Sequence, residues 1–293
     1  MTGMAMAAAA HRRREGSAIS PHPLSRRLAA RRPLVCGILN VTPDSFSDGG
    51  LFDGPHRAVD HGCRLAAEGA DLIDVGGEST RPGSRPPTVD EELARVVPVV
   101  EALVREVGVP LSVDTSRPEV MRAAVAAGAS MVNDVRALRS PGALEAAAEL
   151  GVPVCLMHMQ RSPETMQEDP RYRDVVVEVR TFLAQRMRAC LDAGIRQEHL
   201  VVDPGFGFGK TLTHNVALLA SLDAFTGLGV PVMVGLSRKS VLGQLTGRTV
   251  GDRLPGSLAA ALVAVQRGAS VLRVHDVAAT RDVLAVLDAV GPV

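Results

Sequence analysis

Nine polar side chains stand at or just past the ends of short apolar runs in this chain: Asn40, Asp74, Asp114, Asn133, His158, Asp203, Ser237, Arg273 and His275. Asp114, Asn133 and Asp203 are groups whose burial is costly unless each is hydrogen-bonded or paired. Two carboxylates and an amide facing one point suit a flat heterocycle that offers amino and ring N–H donors; the competing reading is internal hydrogen bonds that hold loops. The opposite character gathers near the C-terminus. SRKS (237–240) and RVHD (273–276) supply Arg238, Lys239, Arg273 and His275, and ESTRPGS (78–84) adds Arg81. Cations so grouped make strong, charge-assisted bonds to phosphate, with surface salt bridges as the alternative. A donor pocket beside an acceptor pocket points to a heterocycle that carries a phosphate leaving group.

Other stretches are less decisive. DPGFGFGKT (203–211) resembles two nucleotide motifs and matches neither. A P-loop needs Gly where Pro204 stands, and a dinucleotide fingerprint needs Gly where Lys210 stands. It reads as a mobile loop whose Phe206 and Phe208 line an aromatic pocket, although Phe206 reads equally well as core. Lys210 and Lys239 are the only two lysines, against 30 arginines, so each merits weight. His158 in LMHMQ reads as a pocket wall or a hydrogen-bonded structural histidine. Asn40, Asp44 and Asp48 can bring hard oxygen ligands toward a phosphate-bound Mg2+, which keeps most of its waters. No Ser-x-x-Lys or GxSxG arrangement suggests acyl transfer.

These residues need a scaffold that brings distant strand ends together. Strands are expected at 34–39, 71–75, 111–113, 130–133, 153–157, 199–202, 231–235 and 270–274. Three are announced by GAD or GAS (Gly69, Gly128, Gly268) and three by GVP (Gly108, Gly151, Gly229). A glycine there fits a helix C-terminus, where a left-handed residue is tolerated. Between the strands lie amphipathic runs at 89–107, 118–127, 173–193, 215–222, 257–267 and 277–290. Helices alternating with nearly continuous apolar strands imply a parallel sheet with helices outside. Eight such units predict an α/β fold, a single (β/α)8 TIM barrel, with its site at the C-terminal strand ends. An open doubly wound sheet is the alternative.

Composition bounds the rest. The 293 residues are 46% apolar, with zero formal net charge and few aromatics, which argues against nucleic-acid and membrane partners. Four scattered cysteines without a CxxC read as reduced thiols in a cytoplasmic protein. Residues 1–32 carry seven Arg and one Glu and are expected to be a disordered extension, with the barrel running from 33 to 293.

Eight motifs in register, GILNVTPDSFSDGG (37–50), IDVGGESTRPGS (73–84), SVDTSRPEV (112–120), MVNDV (131–135), LMHMQ (156–160), VVDPGFGFGK (201–210), GLSRKS (235–240) and RVHDV (273–277), resemble the bacterial dihydropteroate synthases. That resemblance implies a homodimeric (β/α)8 transferase of folate biosynthesis, the sulfonamide target, which joins 7,8-dihydropterin-6-ylmethyl diphosphate to 4-aminobenzoate with Mg2+. Carried over by position, Asp114, Asn133, Asp203 and Lys239 would hold the pterin, with Val135 and Met157 as apolar walls. Asn40, Thr80, Arg81, Arg273 and His275 would hold diphosphate, with Asn40 also on the metal. Phe46, Pro82, Phe208 and Ser240 would frame the aminobenzoate. Asp48, Arg81, Lys239, Arg273 and His275 would form the catalytic set. This moves Lys239 from the phosphate side to the pterin side. An inactive pterin-binding paralogue and a pterin-dependent methyltransferase domain share parts of the pattern and stand as alternatives.

Overall fold

The computed structural model describes residues 22–30, 32–42, 54–79, 85–162 and 165–291. Helix α1 (Pro23–Leu28) precedes β1 (Leu34–Asn40), α2 (Gly54–Ala67), β2 (Leu72–Gly76), α3 (Val89–Glu106), β3 (Leu111–Asp114), α4 (Pro118–Ala126), β4 (Met131–Asp134), α5 (Ala143–Leu150) and β5 (Val154–Met157). Then come α6 (Val175–Asp192), β6 (Leu200–Asp203), α7 (Leu212–Ala220), α8 (Asp223–Thr226), β7 (Met233–Val234), α9 (Ser240–Thr246), α10 (Leu254–Gln266), β8 (Val271–Val274) and α11 (Val277–Val290). All pairings are parallel, in the order β6-β5-β4-β3-β2-β1-β8-β7. A bridge between Val202 and Val232 joins the two outer strands, so the sheet is a nearly closed barrel. That seam is its thinnest point, because Pro231 has no N–H to extend the ladder.

The strands pack the barrel in layers. Leu34, Cys36, Leu72, Met131, Cys155, Val201, Met233 and Val271 form one buried cluster. Side chains on a strand share a face every second residue, so the next layer toward the C-terminal ends holds Asp74, Asn133, Met157, Asp203, Gly235 and Arg273. The spacing sets this layer above the apolar floor, and four of its positions, Asp74, Asn133, Asp203 and Arg273, are polar. On the outside, Val96, Val99, Val100 and Leu103 of α3 join the larger core between sheet and helices. Helix α3 starts on a capping box in which Glu91 N–H donates to Thr88 Oγ1 (3.2 Å) and Thr88 N–H donates to Glu91 Oε2 (2.7 Å).

Several details differ from the sequence reading. Residues 22–30 are not a loose leader, since α1 closes the floor of the barrel. Leu24 and Leu28 are each 2% exposed and belong to the floor cluster. Asp71 ties the helix down: it pairs with Arg27 (3.2 Å) and Arg281 and accepts the N–H of Val35 (2.9 Å). Helices α2 and α5 follow β1 and β4 as the repeating unit requires, although no run was delimited for them, and α7 begins three residues early, where Thr211 and His214 cap each other reciprocally with His in place of the usual Glu or Gln. Gly69, Gly128, Gly151, Gly229 and Gly268 do take positive φ after helices, but Gly108 does not.

Truncating Leu28 tests the docking of α1. Leu28→Ala should lower the unfolding free energy by about 2–5 kcal/mol in a urea titration. A loss below about 0.5 kcal/mol, the range of surface substitutions, would mean that the helix does not close the floor.

Candidate active site

The polar layer is held by one guanidinium. Arg273 on β8 donates through Nε to Asp74 Oδ2 (2.7 Å) and through Nη2 to Asp114 Oδ2 (2.8 Å). The same Asp74 oxygen accepts from Asn133 Nδ2 at 2.9 Å. Four strands, β2, β3, β4 and β8, thus meet in one network. Asp74 is 1% exposed, and its other oxygen, Oδ1, is buried without a hydrogen-bond partner. Burial raises the Asp114 carboxyl against the lowering pull of Arg273, and Asp74 raises it further. Burial would lower Arg273, but the Asp74 and Asp114 carboxylates outweigh it and hold the guanidinium more firmly charged.

Two pockets of opposite character were expected; the structure joins them, because the Arg273 of the donor set lies on the Asp114 of the acceptor set. Arg238 leaves the donor set altogether. It adopts a positive φ of 58° and turns outward to pair with Asp276, Nε to Oδ2 at 3.0 Å. That turn points the following residue inward. Lys239 donates to the carbonyl of Phe206 and places its Nζ 4.5 Å from the centre of the Phe208 ring. Burial lowers Lys239 to about 8, with Asp203 opposing, and burial likewise raises Asp203 against Lys239. Asp203 also accepts the N–H of Gly205 at 2.7 Å.

An apolar wall adjoins this set. Val135, Met157, Met159 and Met166 form a separate buried cluster with Phe208 packed on it. Phe206 is 1% exposed and belongs to the core, so only one of the two phenylalanines faces the mouth. At β8, His275 Nδ1 lies 3.1 Å from Ser237 Oγ. Burial, with Arg238 and Arg273, lowers it to about 4, so it is neutral at pH 7. Asn40 is half-buried at the end of β1, and Ser240 is exposed where α9 begins. Phe46, Asp48, Thr80, Arg81 and Pro82 lie outside the described residues, as does Asp44.

The Asp203–Thr211 stretch is not a mobile loop. Its carbonyls at Gly205 and Phe208 accept from Lys210, that at Phe206 from Lys239, that at Gly207 from Gln167, and that at Gly209 from Tyr172. Asn215 takes the N–H of Gly207 at 2.7 Å. Gly205 shows why glycine stands here: with φ 69°, a Cβ would lie 1.9 Å from the His158 carbonyl. Asp74, Tyr172 and Asn215 had no assigned role in the sequence reading. Only Asp74 was traceable, as the residue two positions beyond Leu72 on the inward face.

Comparison with known proteins places the fold and this layer in context. The family described as "Pterin binding enzyme" matches residues 36–275. The dihydropteroate synthase of Escherichia coli (strain K12) is 54% identical over 257 residues, 88% of this chain and 91% of that protein. That of Haemophilus influenzae is 51% identical over 88% of this chain and 94% of its own length. Among solved structures, Xanthomonas albilineans dihydropteroate synthase with 4-aminobenzoic acid superposes with a TM-score of 0.85 at 60% identity, covering 89% of this chain and 94% of that one. The same enzyme in complex with 7,8-dihydropteroate gives 0.82 at 58%, covering 89% and 95%. A Yersinia pestis dihydropteroate synthase–sulfonamide complex gives 0.84 at 50%, covering 88% and 94%.

The raised carboxyls carry a sign that stability measurements can read. The native state gives up the Asp114 and Asp203 protons at higher pH than the unfolded chain, which releases them near about pH 3.9. Their stabilising contribution is therefore full below that pH and is lost as pH rises through the raised values. Asp114→Asn should gain stability relative to the unsubstituted chain as pH rises from about 4 to about 8, and Asp203→Asn should gain in the same direction, both followed by urea unfolding. A difference that stays flat with pH would contradict the assignment.

Proposed function

The chain belongs to the pterin-binding enzyme family, and we propose that it condenses 7,8-dihydropterin-6-ylmethyl diphosphate with 4-aminobenzoate, releasing diphosphate and 7,8-dihydropteroate. The observation that carries this reading is the polar layer itself. Asp114, Asn133 and Asp203 offer acceptors for the N–H groups of a pterin, and one of those acceptors is bound by the arginine that a leaving diphosphate needs. The similar proteins solved with 4-aminobenzoic acid and 7,8-dihydropteroate support it.

On this reading the pterin lies over Met157 and Val135, with Asp114, Asn133, Asp203 and Lys239 on its edges. Its donors take the Asp114 oxygen that Arg273 holds. Arg273 keeps its Nε bond to Asp74 and turns Nη2 to the diphosphate, beside His275 and Asn40. The C–O bond to diphosphate breaks, and the positive charge at the methylene is spread into the dihydropterin ring. The arylamine, held along Phe208 and Ser240, forms the C–N bond and passes its proton to the released diphosphate or to solvent. The protein contributes position, charge neutralisation on the leaving group and exclusion of water. Outside the described residues, the resemblance would give Asp48 and Arg81 to the catalytic set, Thr80 and Arg81 to the diphosphate, and Phe46 and Pro82 to the aminobenzoate.

Mg2+ fits the donors present. Among the described residues no three His, Cys, Asp or Glu side chains form a metal cage. Mg2+ is commonly held by one or two protein oxygens plus water and substrate phosphates, and the half-buried Asn40 at the end of β1 would supply one of them. When bound, the ion neutralises charge on the diphosphate. The chain acts as a cytoplasmic homodimer. Helix α10 is apolar almost all round, with Ser257, Ala260, Ala261 and Ala264 turned inward, and Leu245, Val250, Val286 and Val290 are exposed nearby in sequence on α9 through α11, which supports a covered face there. No described helix is long and apolar enough to cross a membrane.

A coupled assay with both substrates and Mg2+ tests the reaction: diphosphate and dihydropteroate should appear together, and pterin binding without product would overturn it. In that assay Arg273→Ala should lower kcat on the order of a hundredfold or more, since its bond to the leaving group strengthens as charge develops. A raised KM at unchanged kcat would remove Arg273 from that role.

His275 gives an independent check. Its value of about 4 means that it binds diphosphate from a neutral state. The anion raises it, so binding should take up protons between about pH 4 and the bound value, and affinity should fall as pH rises through that bound value. Calorimetry of diphosphate binding near pH 6 in buffers of different ionisation heat reads this uptake. It should vanish in His275→Gln; no uptake by the unsubstituted chain would contradict it.

A further inference from the structure

Lys210 is 3% exposed and has no role assigned toward either substrate, yet it is one of only two lysines in the chain. Its Nζ lies 2.8 Å from the Gly205 carbonyl, 3.0 Å from the Phe208 carbonyl, 3.4 Å from the His158 carbonyl and 3.0 Å from His158 Nδ1. Three acceptors are carbonyls and the fourth is a histidine that burial and the Lys210 charge lower to about 2. His158 is thus neutral and accepts through Nδ1. This ring of acceptors around a point suits an ammonium with three rotatable N–H groups; a guanidinium is a flat fork and does not fit it. A chain that uses arginine everywhere else needs lysine here for that reason.

The two loop carbonyls that Lys210 holds bracket Phe206, Gly207 and Phe208. Those three residues carry both contacts of the other lysine: the Phe206 carbonyl receives Lys239 Nζ, and the Phe208 ring lies beneath it. From outside, Asn215, Gln167 and Tyr172 hold Gly207 and Gly209, while the buried Lys210 ties both ends of the span, at Gly205 and Phe208, to one point. We infer that Lys210 is a positioning residue for the reaction, clamping the 205–208 backbone so that Lys239 and the Phe208 ring are set at once against the pterin and the aminobenzoate. The inference rests on the function proposed above. It adds that the two substrate subsites share one buried support.

Full-length Lys210→Met and Lys210→Gln chains test it, Met removing all donors and Gln keeping two. The KM for 4-aminobenzoate should rise about tenfold or more in Lys210→Met, less in Lys210→Gln, with kcat changed several-fold less. Hydrogen exchange at the amides of residues 205–209 should accelerate in the same order while the β-strand amides stay protected. If Lys210→Met fails to fold, Lys210→Gln carries the comparison. A variant with lowered Tm, unchanged KM for both substrates and unchanged exchange in this span would overturn the inference and leave Lys210 a core residue. Because exchange is read without turnover, it decides the clamp even if the unsubstituted chain makes no dihydropteroate, an outcome that would defeat only the proposed reaction.

Discussion

A buried guanidinium shared between two carboxylates is the constraint on which the rest of the mouth depends. Arg273 lies 199 residues from Asp74 and 159 from Asp114, and no local preference brings them together. The barrel does so by setting β8, β1, β2 and β3 side by side. Taking such charges from water costs several kcal/mol per ion, so each must find its partner inside. The strands leave little freedom in how this is met. The apolar floor from Leu34 to Val271 ends one layer below, and the next inward positions on β2, β4 and β8 are Asp74, Asn133 and Arg273. Asp74 is the fixed member, while Asp114, 17% exposed at its side chain, is the member a ligand reaches.

The division of labour follows from burial. Groups that stay put, Asp74, Lys210 and the Phe206 ring, are each at most 3% exposed. Of the groups assigned to substrates, Asn40, Asp114, Phe208, Lys239, Arg273 and His275 are half-buried, Ser240 is exposed, and Asn133, Asp203, Val135 and Met157 are buried as the walls and base of the site. The glycines of the Asp203–Thr211 stretch let the backbone pass close to His158 and Gln160, and side chains then fix almost every carbonyl it exposes. Order at the mouth comes from hydrogen bonds to the backbone as much as from packing.

Much of this was legible in the residues. Apolar runs that stop abruptly at Asn40, Asp114 or Asp203 mark strand ends, and all eight strands lie where they were expected within two residues. What was not legible depends on contacts across the fold. Six residues beginning at Pro23, in an arginine-rich context, give no helical period; α1 is visible only once the floor that receives Leu24 and Leu28 exists. Arg238 shares a motif with Lys239, yet a positive φ sends the two in opposite directions. Glycines at 205, 207 and 209 suggested mobility because the lysine that ties them is buried and its acceptors are spread over 50 residues.

The exchange of partners at Arg273 is the centre of the account, and a structure of the chain with a 7,8-dihydropterin bound measures it directly. The account predicts that the pterin takes the Asp114 carboxylate, that Arg273 Nη2 leaves it, and that Nε stays on Asp74. A pterin bound elsewhere, with Arg273 still bridging Asp74 and Asp114, would contradict it.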